Sequence, residues 1–110
     1  MKWLTLENEQ QLNEIIEWSA TTPCVIFKHS TRCSISAMAK GRIDREEAPQ
    51  DVRFYYLDLI TYRDLSNKVA EVFHVRHESP QVLLIKNGEC VYEESHNGIQ
   101  FDEILDQAAH

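Results

Sequence analysis

The sequence contains little glycine or proline, with three of each among its 110 residues. It has no low-complexity segment, internal repeat or flexible linker, so we expect a single domain over residues 1–110. No apolar run approaches the roughly 20 residues of a membrane-spanning helix. Residues 1–7 lack the apolar core of a secretory signal peptide, so we expect a cytoplasmic protein.

Positive charge and cysteine are also scarce. The chain has 11 Lys and Arg against 18 Asp and Glu, for a net charge of −7. We therefore expect no nucleic-acid partner and no membrane partner. The three cysteines, Cys24, Cys33 and Cys90, are odd in number and widely spaced. This count argues against a disulfide framework and fits a reducing compartment.

Hydrophobic periodicity predicts alternating strands and helices. The predicted strands are residues 3–6, 24–29, 52–59, 81–86 and 89–94. Helices are expected after Asn8, near Cys33, from Thr61 or Tyr62, and after Gly98. The order β-α-β-α-β-α-β-β-α predicts an α/β fold, with a central mixed sheet of four to five strands and helices on both faces. With a cysteine after the second strand and a proline before the penultimate one, this order resembles the thioredoxin fold.

The stretch from Phe27 to Ser36 carries the strongest chemical signal. Cys33 follows a strand and a polar turn, at the start of a predicted helix whose expected buried face comprises Ile35, Met38, Ala39 and Ile43. The free N–H groups and positive end of a helix stabilise an anion, so a cysteine here is favoured as the thiolate. The thiolate is the nucleophile of disulfide exchange, which makes Cys33 the candidate catalytic residue.

Ser36 stands where a Cys-x-x-Cys motif would have its second cysteine. It cannot form an intramolecular disulfide, so turnover would need an external thiol. Its hydroxyl is a candidate hydrogen-bond donor to the thiolate, which would be a catalytic role. The alternative interpretation is a solvated helix serine.

Basic residues flank Cys33. His29 and Arg32 are candidates for favouring the thiolate or for binding a carboxylate of the incoming thiol. The alternative is that both are solvated loop residues. Lys28 is expected to be a strand residue with an exposed ammonium.

The remaining histidines and cysteines give weaker signals. His74, His77 and His96 have no metal-ligand spacing to a cysteine, so we expect no metal site. His77 and Glu78 precede Pro80 and are candidates to lie beside the site. Cys24 is expected to be buried and structural. Cys90 is expected to be structural too, with a partly exposed redox target as the alternative.

Pro80 matches a proline that is cis in thioredoxin-like proteins and faces the active cysteine. By that resemblance, the Ser79–Pro80 bond is cis and the backbone beside it binds the substrate in extended form. Ser79 and Pro80 are therefore the further substrate-binding candidates.

Several short blocks together resemble the monothiol bacilliredoxin family. They lie in order over nearly the whole chain, as residues 28–36 (KHSTRCSIS), 55–57 (YYL), 65–67 (LSN), 77–81 (HESPQ), 87–89 (NGE) and 95–96 (SH). The resemblance implies a thioredoxin fold and a role in the redox chemistry of bacillithiol, a low-molecular-weight thiol that some bacteria use in place of glutathione. One departure is Ser34, because members of this family often have proline directly after the cysteine.

By the same resemblance, Cys33 would attack a mixed disulfide between a protein and bacillithiol, and would itself become bacillithiolated. A second bacillithiol would regenerate it. Bacillithiol would thus be a co-substrate, with no tightly bound cofactor, and the partners would be bacillithiolated proteins. Two alternatives stay open: an iron–sulfur-binding protein similar to monothiol glutaredoxins, and a redox-inactive thioredoxin-like adaptor that binds an extended peptide.

Overall fold

The predicted order of strands and helices is confirmed in the computed structural model, which describes all residues, Met1–His110. The strands are β1 (Leu4–Thr5), β2 (Cys24–His29), β3 (Arg53–Asp58), β4 (Gln81–Lys86) and β5 (Glu89–Ser95). The helices are α1 (Glu9–Trp18), α2 (Ser34–Asp44), α3 (Arg63–Phe73) and α4 (Phe101–Ala109), with a short 3₁₀ turn at His96–Gly98. None of these helices is both long and apolar enough to cross a membrane.

The strands form one mixed sheet in the order β1-β3-β2-β4-β5, so β2 lies at its centre. Strand β3 is parallel to both β1 and β2, whereas β4 is antiparallel to β2 and to β5. All six residues of β2 are buried. Lys28 of β2 lies opposite Gln81 of β4, so the turn after β2 and the loop before β4 meet at one end of the sheet.

Each face of the sheet carries its own hydrophobic core. Alternate residues of β2 point to opposite faces, as the period of a strand requires. Cys24 and Ile26 pack with α1 and α3 on one face. Val25 and Phe27 pack with α2 and α4 on the other. The fold is thus the thioredoxin-like α/β arrangement that the sequence predicts.

Local sequence explains two of the boundaries. The side chain of Asn8 accepts a hydrogen bond from the Gln11 backbone N–H at 2.9 Å and so caps α1. Asn87 and Gly88 have φ of 53° and 75°, as a type I′ turn requires, and they join β4 to β5.

The expected buried face of α2 is partly wrong. Ala39 and Ile43 are buried as predicted, but Ile35 and Met38 are 40% and 64% exposed. Their place on the inner face is taken by Ser36, which is 0% exposed. The inner face follows the i, i+3, i+7 spacing of Ser36, Ala39 and Ile43. Strands β1 and β3 are also shorter than predicted.

Candidate active site

Cys33 is the N-cap residue of α2 and is half-buried. Its backbone N–H donates to the Ser30 carbonyl at 3.2 Å, and its carbonyl accepts from the Ala37 N–H at 3.0 Å. The first N–H groups of α2 have no partner within the helix and surround the position of the cysteine. Because Ser34 is not proline, its N–H is one of these donors. These N–H groups are donors available to an anionic ligand at this position, although the Cys33 side chain itself makes no cap hydrogen bond.

Ser36 occupies neither of its two expected settings. Its hydroxyl lies 2.7 Å from His29 Nδ1 and accepts a hydrogen bond from the Ser30 N–H at 3.0 Å. No hydrogen bond joins it to Cys33, and it is completely buried rather than solvated. Ser36 points inward because it lies on the core face of α2. Its observed contacts connect α2 to the end of β2.

His29 is buried at the end of β2 and is not a solvated loop residue. Its ring lies 6.0 Å from Phe27 and 5.7 Å from Tyr56, measured between centroids. Burial lowers the pKa of His29, and the Lys40 ammonium lowers it further. The imidazole is therefore neutral at pH 7 and supplies no positive charge to the cysteine. With Nδ1 paired to Ser36, His29 supports the turn that presents Cys33.

Arg32 stands directly before the cysteine and is exposed. Its guanidinium makes no ion pair and no hydrogen bond within the chain. A free guanidinium offers a fork of N–H donors to an incoming carboxylate. Of the two basic candidates flanking Cys33, Arg32 is exposed with its guanidinium unpaired, whereas His29 is buried with its Nδ1 paired to Ser36.

The loop before β4 contributes the second side of the site. The Ser79–Pro80 peptide bond is cis, as the resemblance implied, and Pro80 is buried. Ser79 is half-buried, and neither its backbone N–H nor its carbonyl makes a hydrogen bond within the chain. A free donor and a free acceptor on one residue can pair with an extended peptide, as in strand addition.

The expectation of an exposed Lys28 ammonium is wrong. Lys28 is 0% exposed, and burial lowers the pKa of its ammonium from 10.5 to about 8. Its Nζ donates to the Ser66 carbonyl of α3 at 3.1 Å and lies 3.3 Å from His77 Nδ1. The sequence contained the signal: a central strand covered on both faces must bury its polar residues along with its apolar ones.

Gln81 is a second buried polar residue that the sequence interpretation missed. It is 0% exposed, and its Nε2 donates to the Arg76 carbonyl at 3.0 Å and to Glu93 Oε2 at 3.1 Å. Its Oε1 accepts from the Glu78 N–H at 3.4 Å. Gln81 begins the predicted strand after Pro80, and its polarity in an otherwise apolar strand was the available sequence signal.

The other two cysteines lie at the far end of the sheet. Cys24 begins β2 and lies opposite Ile85 of β4, which in turn lies opposite Cys90 of β5. All three cysteines are free thiols. Cys24 is fully buried, and burial raises the pKa of its thiol to about 11. Cys90 is half-buried, and burial raises its pKa as well.

A sequence model of the family "Monothiol bacilliredoxin BrxC" matches residues 4–104 of this chain. The chain belongs to the monothiol bacilliredoxin family. The matched range contains Cys33, Ser36 and the Ser79–Pro80 loop, together with all five strands.

Several solved structures share the fold of this chain. One, described provisionally as an oxidoreductase with a thioredoxin fold, is 33% identical with a TM-score of 0.81, over 97% of this chain and 93% of that one. Thioredoxin f from spinach chloroplast is 18% identical with a TM-score of 0.72, over 98% and 91% of the two chains. A thioredoxin from Malassezia sympodialis is 15% identical with a TM-score of 0.74, over 98% and 89%. The bacilliredoxin family and the 33% identical neighbour support a role in thiol redox chemistry, and the two thioredoxins show the fold.

Proposed function

We propose that this bacilliredoxin-family protein is a monothiol oxidoreductase that removes bacillithiol from protein mixed disulfides, with Cys33 as the nucleophile. The observation that carries the proposal is the separation of the cysteines. Cys33 is half-exposed at the N-terminus of α2, whereas Cys24 and Cys90 lie at the opposite end of the sheet. Strand β2 alone separates Cys24 from the site by about 16 Å.

The reaction needs a single thiol of the enzyme, Cys33. It consumes one bacillithiolated client and one free bacillithiol, and it yields the client thiol and oxidised bacillithiol. The Cys33 thiolate attacks the bacillithiol sulfur of the mixed disulfide, a new S–S bond forms, and the client leaves as a thiolate that takes a proton from water. A second bacillithiol thiolate then attacks the sulfur of the bacillithiol bound to Cys33. This step releases oxidised bacillithiol and returns Cys33 as a thiolate.

Position 36 supports the use of an external second thiol. Ser36 cannot form a disulfide, and its hydroxyl is hydrogen bonded to His29 and Ser30 rather than to Cys33. Resolution by a small thiol from solution therefore replaces resolution by a second cysteine. In this mechanism Ser36 and His29 position the turn and take no direct part in sulfur transfer.

Substrate contacts in this proposal come from two segments. The backbone N–H and carbonyl of Ser79 pair with an extended segment of the client protein, beside the buried Pro80. The free Arg32 guanidinium binds a carboxylate of the small thiol. The clients are thus bacillithiolated proteins, and bacillithiol is a co-substrate.

Mass spectrometry of the intermediate tests the proposal. The protein is incubated with a bacillithiolated client, in parallel with the variants Cys33→Ser, Cys24→Ser and Cys90→Ser. We expect one bacillithiol on Cys33 of the wild type and of the two control variants, together with release of the client thiol. A glutathionylated client in a parallel reaction measures the preference for bacillithiol.

Two outcomes would contradict the proposal. Transfer that persists in Cys33→Ser would place the nucleophile elsewhere. No transfer in the wild type would redirect attention to cluster binding, seen as a coloured protein after anaerobic purification, or to peptide binding that survives Cys33→Ala.

A further inference from the structure

We infer that Lys28 is a positioning residue: through its hydrogen bond to His77 it fixes the loop before β4 and so presents the free backbone of Ser79 to the substrate. The inference concerns a residue that forms no contact with the reacting sulfur. It rests on the proposed function for the identity of the substrate, but not for the coupling between Lys28 and the loop.

The burial of Lys28 needs an explanation other than stability. The side chain is 0% exposed, and no carboxylate forms an ion pair with it. Removing an ammonium from water without a counter-charge is costly, and an apolar side chain of similar length would fill the same volume without that cost. The role of the ammonium must therefore come from the hydrogen bonds that it makes.

Those contacts join three separate parts of the chain. Lys28 lies on β2, its first acceptor is the Ser66 carbonyl on α3, and its second partner is His77 in the loop between α3 and β4. An ammonium has donors only, so His77 Nδ1 must accept with its lone pair. This requirement fixes His77 as the neutral tautomer with its proton on Nε2. Partial burial and the Lys28 charge both lower the pKa of His77, which favours the same neutral form.

Gln81 holds the loop from the neighbouring strand. Lys28 and Gln81 are register partners on β2 and β4, and both are fully buried. Gln81 bonds the carbonyl of Arg76 and the N–H of Glu78, on either side of His77. Two buried side chains therefore hold consecutive residues of the loop, and Ser79 follows directly.

Gln81 bonds only the backbone of the loop, whereas Lys28 bonds the side chain of His77, and His96 Nε2 lies 3.7 Å from the Glu78 carboxylate. Loss of the ammonium would free the His77 ring while β4 and its hydrogen bonds to β2 remain. We therefore expect the loop to become mobile without unfolding of the sheet. Mobility of Ser79 would weaken docking of an extended client and raise KM more than it lowers kcat.

A double-mutant cycle tests the coupling in the full-length protein. The variants are Lys28→Met, His77→Ala and their combination. Lys86→Met is the control for loss of a lysine that donates to a backbone carbonyl, and Arg76→Gln is the control for loss of a cation from the same loop. Arg76 is exposed, and its side chain makes no hydrogen bond or ion pair.

Backbone ¹⁵N relaxation gives the first readout, independent of any enzyme assay. We expect the order parameters of His77, Glu78 and Ser79 to fall below the value of about 0.85 that is typical of rigid backbone, in Lys28→Met and in His77→Ala. The double variant should match either single variant, because both remove the same bond. The two controls should leave the loop rigid. His77→Asn, whose side-chain oxygen can accept from Lys28, should restore part of the rigidity.

A second readout is the tautomer of His77, observed through its ring ¹⁵N shifts. The wild type should show a single Nε2–H form, and Lys28→Met should show a mixture of tautomers. An unchanged loop in Lys28→Met, or additive losses of order in the double variant, would overturn the inference. If the wild type fails to transfer bacillithiol while these spectra change as expected, the proposed function fails and the positioning role of Lys28 stands.

Discussion

Strand β2 has one cysteine at its beginning and another just beyond its end, and the two differ in every physical respect. Cys24 is fully buried among apolar side chains, and burial raises its pKa to about 11. Cys33 is half-exposed at the start of α2, beside backbone N–H groups that have no helical partner. Position in the fold therefore separates a buried thiol from an accessible one, and an accessible position at a helix start is the setting expected of a reactive cysteine.

The two ends of strand β2 also differ in the number of buried polar side chains around them. The site end holds a set of buried polar side chains, namely Lys28, His29, Ser30, Ser36, Ser66 and Gln81. The far end has apolar neighbours such as Ile85, which lies between Cys24 and Cys90, and one buried polar side chain, Ser19, whose hydroxyl accepts from the Gly88 N–H. Most of the side chains at the site end are hydrogen bonded, and their bonds fasten α2 or the loop before β4, whereas the Ser66 hydroxyl has no partner. Buried polar side chains that fix the geometry of the site are thus concentrated at one end of β2.

Replacing the cysteines one at a time tests this contrast most directly. Cys33→Ser should lower the rate of disulfide exchange by on the order of 10³-fold or more, because a hydroxyl cannot replace the thiolate. Cys90→Ser should leave the rate within about twofold, since Cys90 lies at the far end. Stopped-flow measurement of client thiol release gives both rates. A similar loss of exchange rate in Cys33→Ser and Cys90→Ser would contradict the functional difference between the two ends of the sheet.

The buried charge of Lys28 should make the stability of the site end depend on pH. Its pKa is about 8 in the folded chain and 10.5 ordinarily, so between these pH values the unfolded chain binds the extra proton. The cost of burying the charge is fully present below pH 8 and disappears as the pH rises to 10.5. This pKa difference corresponds to about 3 kcal/mol.

Urea unfolding of the wild type and Lys28→Met measures this effect. The free energy of unfolding of Lys28→Met should exceed that of the wild type at pH 7, and the difference should narrow between pH 8 and 10.5. Tyrosine ionisation also changes the free energy of unfolding at high pH. Both proteins have the same tyrosines, so this contribution cancels in the difference between them. A difference that stays constant with pH would show that Lys28 is not a buried cation.

Ser36→Ala should destabilise the fold by about 1–3 kcal/mol, because the buried His29 Nδ1 and Ser30 N–H lose their partner. Ser34→Ala, at an exposed position of the same helix, should change stability by less than about 0.5 kcal/mol. Chemical denaturation at pH 7 separates the two variants. Equal stabilities would mean that the hydroxyl of Ser36 does not join α2 to β2.

The smallest expected effect belongs to Arg32. Arg32→Gln should raise KM for bacillithiol up to about fivefold, and the increase should shrink at high salt, as for an exposed ion pair. Arg45→Gln removes the same charge at the other end of α2 and should leave KM unchanged. Steady-state kinetics at low and high salt compare the two. A fivefold increase of KM in both Arg32→Gln and Arg45→Gln would indicate general electrostatic attraction of bacillithiol rather than a contact with Arg32.

Sequence by itself determined the order of the elements and placed the candidate nucleophile at the start of a helix. Apolar runs separated by turn residues and helical stripes are local patterns, and they gave β2 and β4 with correct ends. Cys33 was identifiable because a strand, a polar turn and a helix start follow one another along the chain. Asn87–Gly88 identified the hairpin for the same local reason.

Only the tertiary structure decided what the polar residues of the site do. Ser36 was expected near the sulfur or in water, Lys28 in water, and each is instead buried against a different segment. Their partners His77 and His29 come from loops and strands whose approach depends on how the helices cover the sheet. A hydrogen bond between residues distant in sequence leaves no periodic pattern, because its two ends are fixed by packing rather than by spacing along the chain.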